Sequence, residues 1–261
     1  MIRVVCCISD FGVAGYRSGL SYSCSRFKIN LTTLFHSDVW HSHRLKDSRL
    51  KLFLQSQPAE QIVLFTDGYD TVFLAREMEI YIKYLQLSPN REIVVSAETN
   101  CYPDENLASV YPNTVGSYRF LNSGGIIGPA AKLLSALNEI DSIKHLEDGK
   151  YAWSNQYLWS KLFLNRSVSM IIDHQCEIFQ TFSNDLKSAH AFALASKEGK
   201  TELVGRLIED ERVRIDTNFE IKDSAVVNLE TKTRPLHLHF NGPIMKFMMF
   251  LDPFRELIQH K

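Results

Sequence analysis

The order of apolar and polar positions in the first half of the chain predicts short buried strands that alternate with helices. Four apolar runs are short, rich in β-forming residues and bounded by turn residues, as buried strands are. They lie at 3–9, 27–34, 61–65 and 92–96. Apolar residues at helical spacing predict helices over 45–57 and 77–87. This alternation is typical of an α/β fold, with a mainly parallel sheet flanked by helices.

The second half is less regular. Two short strands are predicted at 119–121 and 125–128, around the turn-forming sequence Asn122-Ser123-Gly124-Gly125. Helices are predicted from Pro129 to about 146, where proline suits the first turn, and over 155–163. The remaining predictions are helices at 189–210 and 244–258 and strands at 212–218, 225–229 and 236–240. Nothing marks a boundary, so residues 1–261 are expected to form a single domain.

Composition narrows the class of protein. The 261 residues are 45% hydrophobic and 23% charged. The net charge of -1 shows no excess of positive charge that would favour binding to nucleic acid or an anionic membrane. No apolar run approaches the roughly 18 residues of a membrane-spanning helix, and the short apolar start lacks a cleavage site. The five cysteines form neither a disulfide framework nor a CxxC zinc pattern. We therefore expect a cytoplasmic chain with reduced thiols.

Two carboxylates follow directly after a predicted strand. Asp67 and Asp70 belong to the sequence Asp-Gly-Tyr-Asp, at the strand end where open α/β sheets bind ligands. Two acids that face one point repel each other unless a cation lies between them, and oxygen ligands favour Mg²⁺ or Mn²⁺. Because the motif is short, a surface turn with solvated acids remains the alternative.

A histidine pair lies near the C-terminus. Strand alternation places His237 and His239 on one face, and imidazole beside carboxylate suits Mn²⁺ better than Mg²⁺. The alternative is a pair of strand histidines that hydrogen-bond to the backbone.

Other candidate residues carry less information. Asn122 and the two glycines after it offer an amide and close backbone approach for a sugar, or form only a turn. Trp40 and Tyr69 could stack on a base, or be ordinary core aromatics. Asp173 and His174 point to opposite faces of a predicted strand, so we expect a structural role for His174.

Five segments, read together, are more specific than any of them alone. They are FTDGYDTVF at 65–73, SAETNCYPD at 96–104, RFLNSGGIIG at 119–128, DHQCEIFQ at 173–180 and HFNGP at 239–243. In this order they resemble the glycosyltransferase domain of the procollagen lysyl hydroxylase and procollagen glucosyltransferase family.

This resemblance implies a GT-A glycosyltransferase fold, which is a Rossmann-like, mainly parallel sheet flanked by helices. It implies Mn²⁺, with Mg²⁺ as the alternative, held by Asp67, Asp70 and His239. A UDP-sugar would be the donor substrate, and its diphosphate would complete the coordination shell. The metal would stabilise the leaving UDP as a Lewis acid.

The resemblance also assigns places to other residues. Tyr69 and Trp40 would face the nucleotide, and Asn241 and Gly242 would lie near the phosphates. The residues implied on the sugar or acceptor side are Glu98, Cys101, Asn122 and Gly124. The lysine that follows the family's NGP sequence is displaced here to Lys246, and Arg44 or Lys46 could assist the diphosphate.

One departure from the family concerns the reacting centre. The family has acidic residues before the helix that here begins near Asn155, whereas this chain has Trp153-Ser154-Asn155-Gln156. Asn155, Gln156 and Asn122 are therefore the candidate catalytic residues.

The resulting functional hypothesis is a hexosyltransferase. It would move glucose or galactose from a UDP-sugar to a hydroxyl acceptor with retention of configuration. The acceptor would be a glycan, a lipid-linked sugar or a protein side chain. A UDP-sugar-binding module with little or no transfer activity is the alternative, and a metal phosphoesterase is a third class that would need more metal ligands.

Overall fold

The structure is a computed structural model, and it describes residues 2–37, 39–146, 149–222 and 224–259. The strands are β1 Arg3–Ile8, β2 Leu31–Phe35, β3 Ile62–Asp67, β4 Thr71–Phe73, β5 Ile93–Glu98, β6 Phe120–Pro129, β7 Met170–Ile172, β8 Phe179–Ser183, β9 Phe219–Lys222, β10 Ala225–Asn228 and β11 His237–Asn241. The helices are α1 Tyr22–Arg26, α2 Arg44–Leu54, α3 Glu77–Leu87, α4 Ala130–Leu146, α5 Asn155–Asn165, α6 Leu186–Lys197, α7 Thr201–Asn218, α8 Pro243–Met248 and α9 Phe254–Gln259. A π-helical segment, Gly15–Ser21, leads into α1.

A six-stranded sheet forms the centre of the fold, in the order β2-β1-β3-β6-β5-β7. Its pairs are parallel except those that β6 makes with β3 and β5. The predicted fold class, a mainly parallel sheet flanked by helices, is confirmed.

Both faces of this sheet are covered, which explains the continuous apolar run of β1. Val5 and Cys7 of β1 lie in a core cluster shared with α2, α4 and α5. Val4 and Cys6 lie in a second cluster with residues of α1 and α3. Strands that are buried on both faces have no polar side to alternate with.

A smaller three-stranded sheet, in the order β4-β11-β8, adjoins the end of β3. Strand β11 runs antiparallel to β4 and pairs His239 with Thr71. It also runs parallel to β8 and pairs His239 with Thr181. This sheet therefore brings the C-terminal HFNGP segment next to the turn after β3.

The predicted turn at Asn122–Gly125 is wrong, because these residues lie inside the single ten-residue strand β6. The pairing of β6 with β5 shifts here, from Val95 opposite Ile126 to Ser96 opposite Asn122. The glycines serve close packing instead of a turn: a Cβ on Gly125 would lie 2.6 Å from the Phe179 ring. Pro129 ends β6 instead of starting α4, which begins at Ala130.

The C-terminal third also differs from prediction. Residues 212–218 are the end of helix α7 and not a strand. The helix predicted over 189–210 is divided into α6 and α7 at Gly199, whose φ of 69° is left-handed. The helix predicted over 244–258 is divided into α8 and α9, with Pro253 between them. Residues 22–26 form α1, so the strand predicted over 27–34 starts only at Leu31.

Among the described residues, no helix has both the length and the apolar character needed to cross a bilayer.

Candidate metal centre and adjoining cleft

The two aspartates lie at the junction of the two sheets. Asp67 is the last residue of β3, and Asp70 directly precedes β4. The Asp70 carbonyl accepts a hydrogen bond from the Phe240 N–H at 2.7 Å, which ties this turn to β11. The side chain of Asp70 is buried, whereas that of Asp67 is partly exposed.

His239 joins the two aspartates from β11. Its Nε2 lies 3.7 Å from Asp67 Oδ2 and 3.6 Å from Asp70 Oδ2. One potential ligand atom from each of the three residues lies within 4.8 Å of the others. The structure therefore brings together the three residues predicted as metal ligands.

His237, the other histidine of the predicted pair, does not join this cluster. Its Nε2 lies 2.7 Å from Thr66 Oγ1, and its ring packs edge-on against Phe73 and Phe179. Burial lowers the pKa of His237 to about 3, so the ring is a neutral core group.

Asn122 determines which nitrogen of His239 faces the aspartates. Asn122 Oδ1 accepts a hydrogen bond from the Gly124 N–H at 2.8 Å, which identifies that atom as the oxygen. The same oxygen lies 3.0 Å from His239 Nδ1, and an amide oxygen only accepts. Nδ1 therefore carries a proton, and in the neutral ring the lone pair of Nε2 points to the side of the two carboxylates.

Gly124 makes room for the histidine ring. A Cβ at this position would lie 2.2 Å from His239 Cε1, which no side chain could occupy without moving the ring. The structure thus packs Gly124 against the candidate metal ligand His239.

Two lysines neutralise the carboxylates. Lys46 Nζ of α2 lies 2.6 Å from Asp67 Oδ1, and Lys246 Nζ of α8 lies 3.1 Å from Asp70 Oδ2. Burial would raise the pKa of Asp70, but the charges of His239, when that ring is protonated, and of Lys246 outweigh it and hold that pKa below its ordinary value. The charge of Asp70 in turn raises the pKa of Lys246. Both groups are therefore ionised at neutral pH.

The donor set fits a divalent cation. His239 Nε2 is buried and makes no hydrogen bond to the described residues, and a buried polar atom without a partner is costly. Two carboxylates and one neutral imidazole are ligands that Mn²⁺ accepts. The hydrogen bond at Nδ1 is the outer contact that metal-ligating histidines usually make.

A cleft of about 410 Å³ opens beside this cluster. On the cluster side it is lined by Asp67, Asp70, Gly242 and Lys246. Gly242 has a φ of 105°, and a Cβ there would lie 2.6 Å from Asn184 Oδ1, so glycine is required between β11 and α8. The displaced lysine noted in the sequence, Lys246, thus reaches the cluster from the first turns of α8.

Glu98 forms the floor of the cleft and is buried. It accepts hydrogen bonds from Ser183 Oγ at 2.8 Å, Asn241 Nδ2 at 3.2 Å and Gln156 Nε2. Burial raises the pKa of Glu98 above its ordinary value, although the hydrogen bonds from Ser183 and Gln156 oppose that effect. Cys101 is half-buried on the loop after β5.

Asn155 and Gln156 lie behind the cleft at the start of α5. Ser123 donates its N–H to Gln156 Oε1 and its hydroxyl to Asn155 Oδ1. Asn155 Nδ2 lies 3.5 Å from Asp47 Oδ1, which also accepts from Trp159 Nε1 at 3.2 Å. These two candidate catalytic residues thus contact Ser123, the neighbour of the third, Asn122.

Tyr69 lies between the two aspartates in the chain, and Trp40 lies shortly before α2. The Tyr69 hydroxyl accepts hydrogen bonds from the N–H groups of Ser9 and Asp10, each at 2.8 Å, and so holds the loop after β1. The Trp40 ring packs edge-on against His43, which lines the cleft. Both aromatic side chains are partly exposed.

Sequence reasoning missed several residues of this region. His43 directly precedes α2, and Asp47 lies in the first turn of that helix. Asn100, Ser183 and Asn184 lie at or just after the ends of β5 and β8 and line the cleft. Asp47 occurs in the ordinary helical pattern RLKDSRL, which gives no sign that the acid is buried. The one available signal is the position of Asn100, two residues after β5 ends at Glu98, because ligands bind at such strand ends.

Comparison with known proteins identifies relatives. The model of a family described as the PLOD GT domain matches residues 15–224. Procollagen-lysine,2-oxoglutarate 5-dioxygenase 1 of Mus musculus is 31% identical over 197 residues, which are 74% of this chain and 22% of that protein. Procollagen-lysine,2-oxoglutarate 5-dioxygenase of Drosophila melanogaster is 35% identical over 178 residues, 62% of this chain and 23% of that one. The chain thus spans about a quarter of the length of these relatives.

A solved structure with a related outline is a glycosyltransferase involved in the glycosylation of the major capsid of PBCV-1. It shares 11% identity, with a TM-score of 0.49 over 96% of this chain and 99% of its own. A likeness at that level adds nothing to the family match.

Proposed function

The chain belongs to the PLOD GT domain family, and on that premise we propose that it is a metal-dependent glycosyltransferase that moves glucose or galactose from a UDP-sugar to a hydroxyl acceptor with retention. The observation that carries this proposal is the cluster of Asp67, Asp70 and His239 at the mouth of the cleft. The buried Nε2 of His239, without a partner among the described residues, supports a bound cation at that point.

The proposed metal is Mn²⁺, with Mg²⁺ as the alternative, and Asp67, Asp70 and His239 would hold it. When bound, it supplies Lewis-acid stabilisation of the charge that develops on the leaving diphosphate. Asn122 orients His239, while Lys46 and Lys246 bring positive charge to the same place. Asn241 and Gly242 are proposed to lie along the phosphates.

We assign the remaining predicted residues by their place around the cleft. Tyr69 and Trp40 are proposed to face the nucleotide, and Glu98 and Gly124 the sugar. Asn155 and Gln156 are proposed to act on the reacting centre through Ser123 and Glu98, which they contact. If transfer retains the configuration, attack by the acceptor on the face of the departing UDP is favoured over a covalent glycosyl-enzyme intermediate, because Asp67, Asp70 and Glu98 all have partners already.

UDP release tests this proposal. The wild-type chain is incubated with a panel of UDP-sugars with Mn²⁺ or EDTA, and slow hydrolysis identifies the preferred donor even without an acceptor. Release is expected to require metal and to vanish in Asp67→Ala/Asp70→Ala. The matched control is Asp210→Ala/Asp216→Ala, which removes two exposed acids of α7 and should release UDP like the wild type. Release that is independent of both metal and Asp67 and Asp70 would contradict the proposal.

The alternative is a UDP-sugar-binding module. It is favoured by one observation: Ser154 and Asn155 stand where the resemblance places the family's acids, while the glutamine that follows those acids is retained as Gln156. Calorimetry decides between the two, because a binding module takes up UDP with metal but releases no UDP from any sugar nucleotide.

We further propose that residues 1–261 form one domain and that the chain works in a reducing compartment such as the cytoplasm. A core cluster that runs from Val5 to Ile258 supports the first statement. The five cysteines, which are all unpaired, support the second. Thiol counting of freshly isolated protein under denaturing, non-reducing conditions should find five free thiols.

A further inference from the structure

The cleft beside the metal cluster has two unlike walls. The wall on the cluster side carries ionised groups, including Asp70 and Lys246. A second set of lining residues, here named the neutral wall, consists of Asn100, Tyr102, Ser183, Asn184, Leu186 and Ala189. These residues come from the loop after β5, the end of β8 and the first turn of α6. None of the six side chains is charged at neutral pH.

Two side chains of the neutral wall expose apolar surface to the cleft. Tyr102 is 40% exposed and Leu186 is 39% exposed. Binding sites for small molecules combine such apolar contact surface with a few fixed polar groups. The C–H face of a pyranose ring offers the matching surface, and its hydroxyl groups lie around the edge.

The fixed polar groups of the neutral wall are amides. Asn184 Oδ1 accepts hydrogen bonds from the N–H groups of Ile244 and Met245, at 3.2 and 3.3 Å. The backbone carbonyl of Asn184 accepts a hydrogen bond from Asn100 Nδ2 at 2.7 Å. Asn184 is only 3% exposed, and its Nδ2 has no partner among the described residues. A buried donor without a partner destabilises the site. A ligand hydroxyl oxygen at this place would remove that destabilisation.

The cleft lining offers no exposed, unpaired carboxylate to a cationic ligand. Asp67 is paired with Lys46 and Asp70 with Lys246, while Glu98 is 1% exposed and its oxygens already accept hydrogen bonds from Ser183 and Gln156. These are the acids among the described residues that line it. Enclosing an ammonium group without a counter-charge is strongly unfavourable. The cleft therefore discriminates against an acceptor that carries a lysyl amine beside its hydroxyl.

We propose that the acceptor is a neutral carbohydrate, bound on the neutral wall with its ring against Tyr102 and Leu186 and a hydroxyl oxygen at Asn184 Nδ2. This inference rests on the proposed glycosyltransferase function. In the transfer step the acceptor oxygen forms a bond to the anomeric carbon of the donor sugar. The bond from that carbon to the diphosphate breaks, its electron pair stays on the leaving UDP, and the hydroxyl proton passes to the departing phosphate oxygen.

Direct binding tests the acceptor site without relying on catalysis. Methyl galactoside, methyl glucoside and lactose are compared with a peptide that contains hydroxylysine, by saturation-transfer NMR and calorimetry in the presence of UDP and Mn²⁺. The neutral saccharides are expected to bind, and the peptide to bind at least about tenfold more weakly. Binding of the peptide but of none of the saccharides would overturn the proposal.

Matched variants locate the site. Leu186→Ala is expected to weaken saccharide binding and to lower the ratio of transfer to hydrolysis. Leu194→Ala removes an exposed leucine of the same helix that does not line the cleft, and should match the wild type. Equal affinities of the two variants would place the saccharide elsewhere and so overturn the assignment.

Asn184→Asp changes the charge of the neutral wall. An aspartate keeps an oxygen for the N–H groups of α8 but replaces the free donor by a carboxylate. Saccharide affinity should fall about three- to tenfold, the effect of one hydrogen bond, while the hydroxylysine peptide should bind more tightly than to the wild type. Asn138→Asp, on the exposed face of α4, is the control and should change neither affinity.

The outcomes also separate this inference from the function on which it rests. Saccharide binding that is lost in Leu186→Ala, without any release of UDP from sugar nucleotides, would reject the transferase and keep the site. Metal-dependent UDP release without saccharide binding would keep the transferase and reject the site.

Discussion

The chemistry of His239 depends on a single amide oxygen. Asn122 Oδ1 receives two N–H groups, one from the Gly124 backbone and one from His239 Nδ1. This arrangement fixes the tautomer that leaves Nε2 free to bind a cation. Outer contacts of this kind typically contribute a factor of 10 to 100 in metal affinity.

Asn122→Ala is therefore expected to lower the affinity for Mn²⁺ about 10- to 100-fold, because His239 loses the partner that holds its ring and tautomer. Calorimetric titration of the metal-free protein measures the change. Asn138→Ala, an exposed substitution on α4, should bind Mn²⁺ as the wild type does. Unchanged affinity in Asn122→Ala would mean that the ring is held by its packing alone.

Cys101 illustrates how the environment of the cleft changes a reactive group. Burial, together with the nearby acids Asp104 and Glu98, raises the pKa of its thiol from 9.0 to about 11. Because the thiolate is the reacting species, alkylation near neutral pH should be about 100-fold slower than for a cysteine of ordinary pKa.

Iodoacetamide labelling followed by mass spectrometry measures this rate, with the unfolded chain as the control. The rate at Cys101 in the folded protein should continue to rise about tenfold per pH unit beyond pH 9, where labelling of the unfolded chain levels off. A plateau at the same pH in both states would contradict the raised pKa.

At the scale of elements, strand β6 shows how function and local propensity diverge. Asn122-Ser123-Gly124-Gly125 has the composition of a turn, yet it lies within a continuous strand. The reason is that His239 and Phe179 pack where side chains at 124 and 125 would otherwise be. Glycine here reflects neighbours from another sheet, which a local pattern does not contain.

The junction of α6 and α7 depends on a different glycine. Gly199 has a φ of 69°, which ends α6, and apart from its chain neighbours no atom of the described residues lies within 4 Å of the place where a Cβ would be. Gly205 lies inside α7 and has equally open surroundings. The two positions therefore differ in backbone conformation and not in space.

Alanine at these two glycines should have opposite effects. Gly199→Ala forces a left-handed alanine and is expected to lower the free energy of unfolding by about 1 kcal/mol. Gly205→Ala improves helix propensity and should raise it by about 0.5–1 kcal/mol. Urea denaturation followed by circular dichroism measures both, and effects of the same sign would contradict the predicted break between the helices.

At the scale of the whole molecule, the site unites segments that are far apart in the chain. Helix α2 brings Lys46 to the turn after β3, and β11 and α8 bring His239 and Lys246 from the other end. A ligand that binds this junction binds the folded chain only, so it should stabilise the whole fold.

Mn²⁺ and UDP together should therefore raise the melting temperature. At a ligand concentration about 100 times the dissociation constant, the stabilisation is about 2.7 kcal/mol, which corresponds to roughly 5–10 °C for a chain of this size. Differential scanning calorimetry measures the shift, and Asp67→Ala/Asp70→Ala should lose it. An equal shift in that variant would place the ligand away from the two aspartates.

Much of the molecule follows from the sequence alone. Apolar runs and helical spacing located the central strands and helices α2, α3 and α5. A strand that is buried on both faces gives a continuous apolar run, and a helix that is buried on one face gives apolar residues at helical spacing. The ordered motifs identified the family and the three residues that form the cluster. Errors occurred at the glycines of β6 and again after residue 186, where polar helices are interrupted by single residues such as Gly199.

Only the tertiary structure decided how these parts meet. The pairing of β11 with β4, the lysines beside the aspartates and the burial of Asp47 against Trp159 join residues far apart in sequence. The neutral wall likewise forms from three separate segments. Periodicity reports which face of an element is buried, but it carries no information about the element that covers that face. The charges and hydrogen bonds that select a ligand arise from that second element.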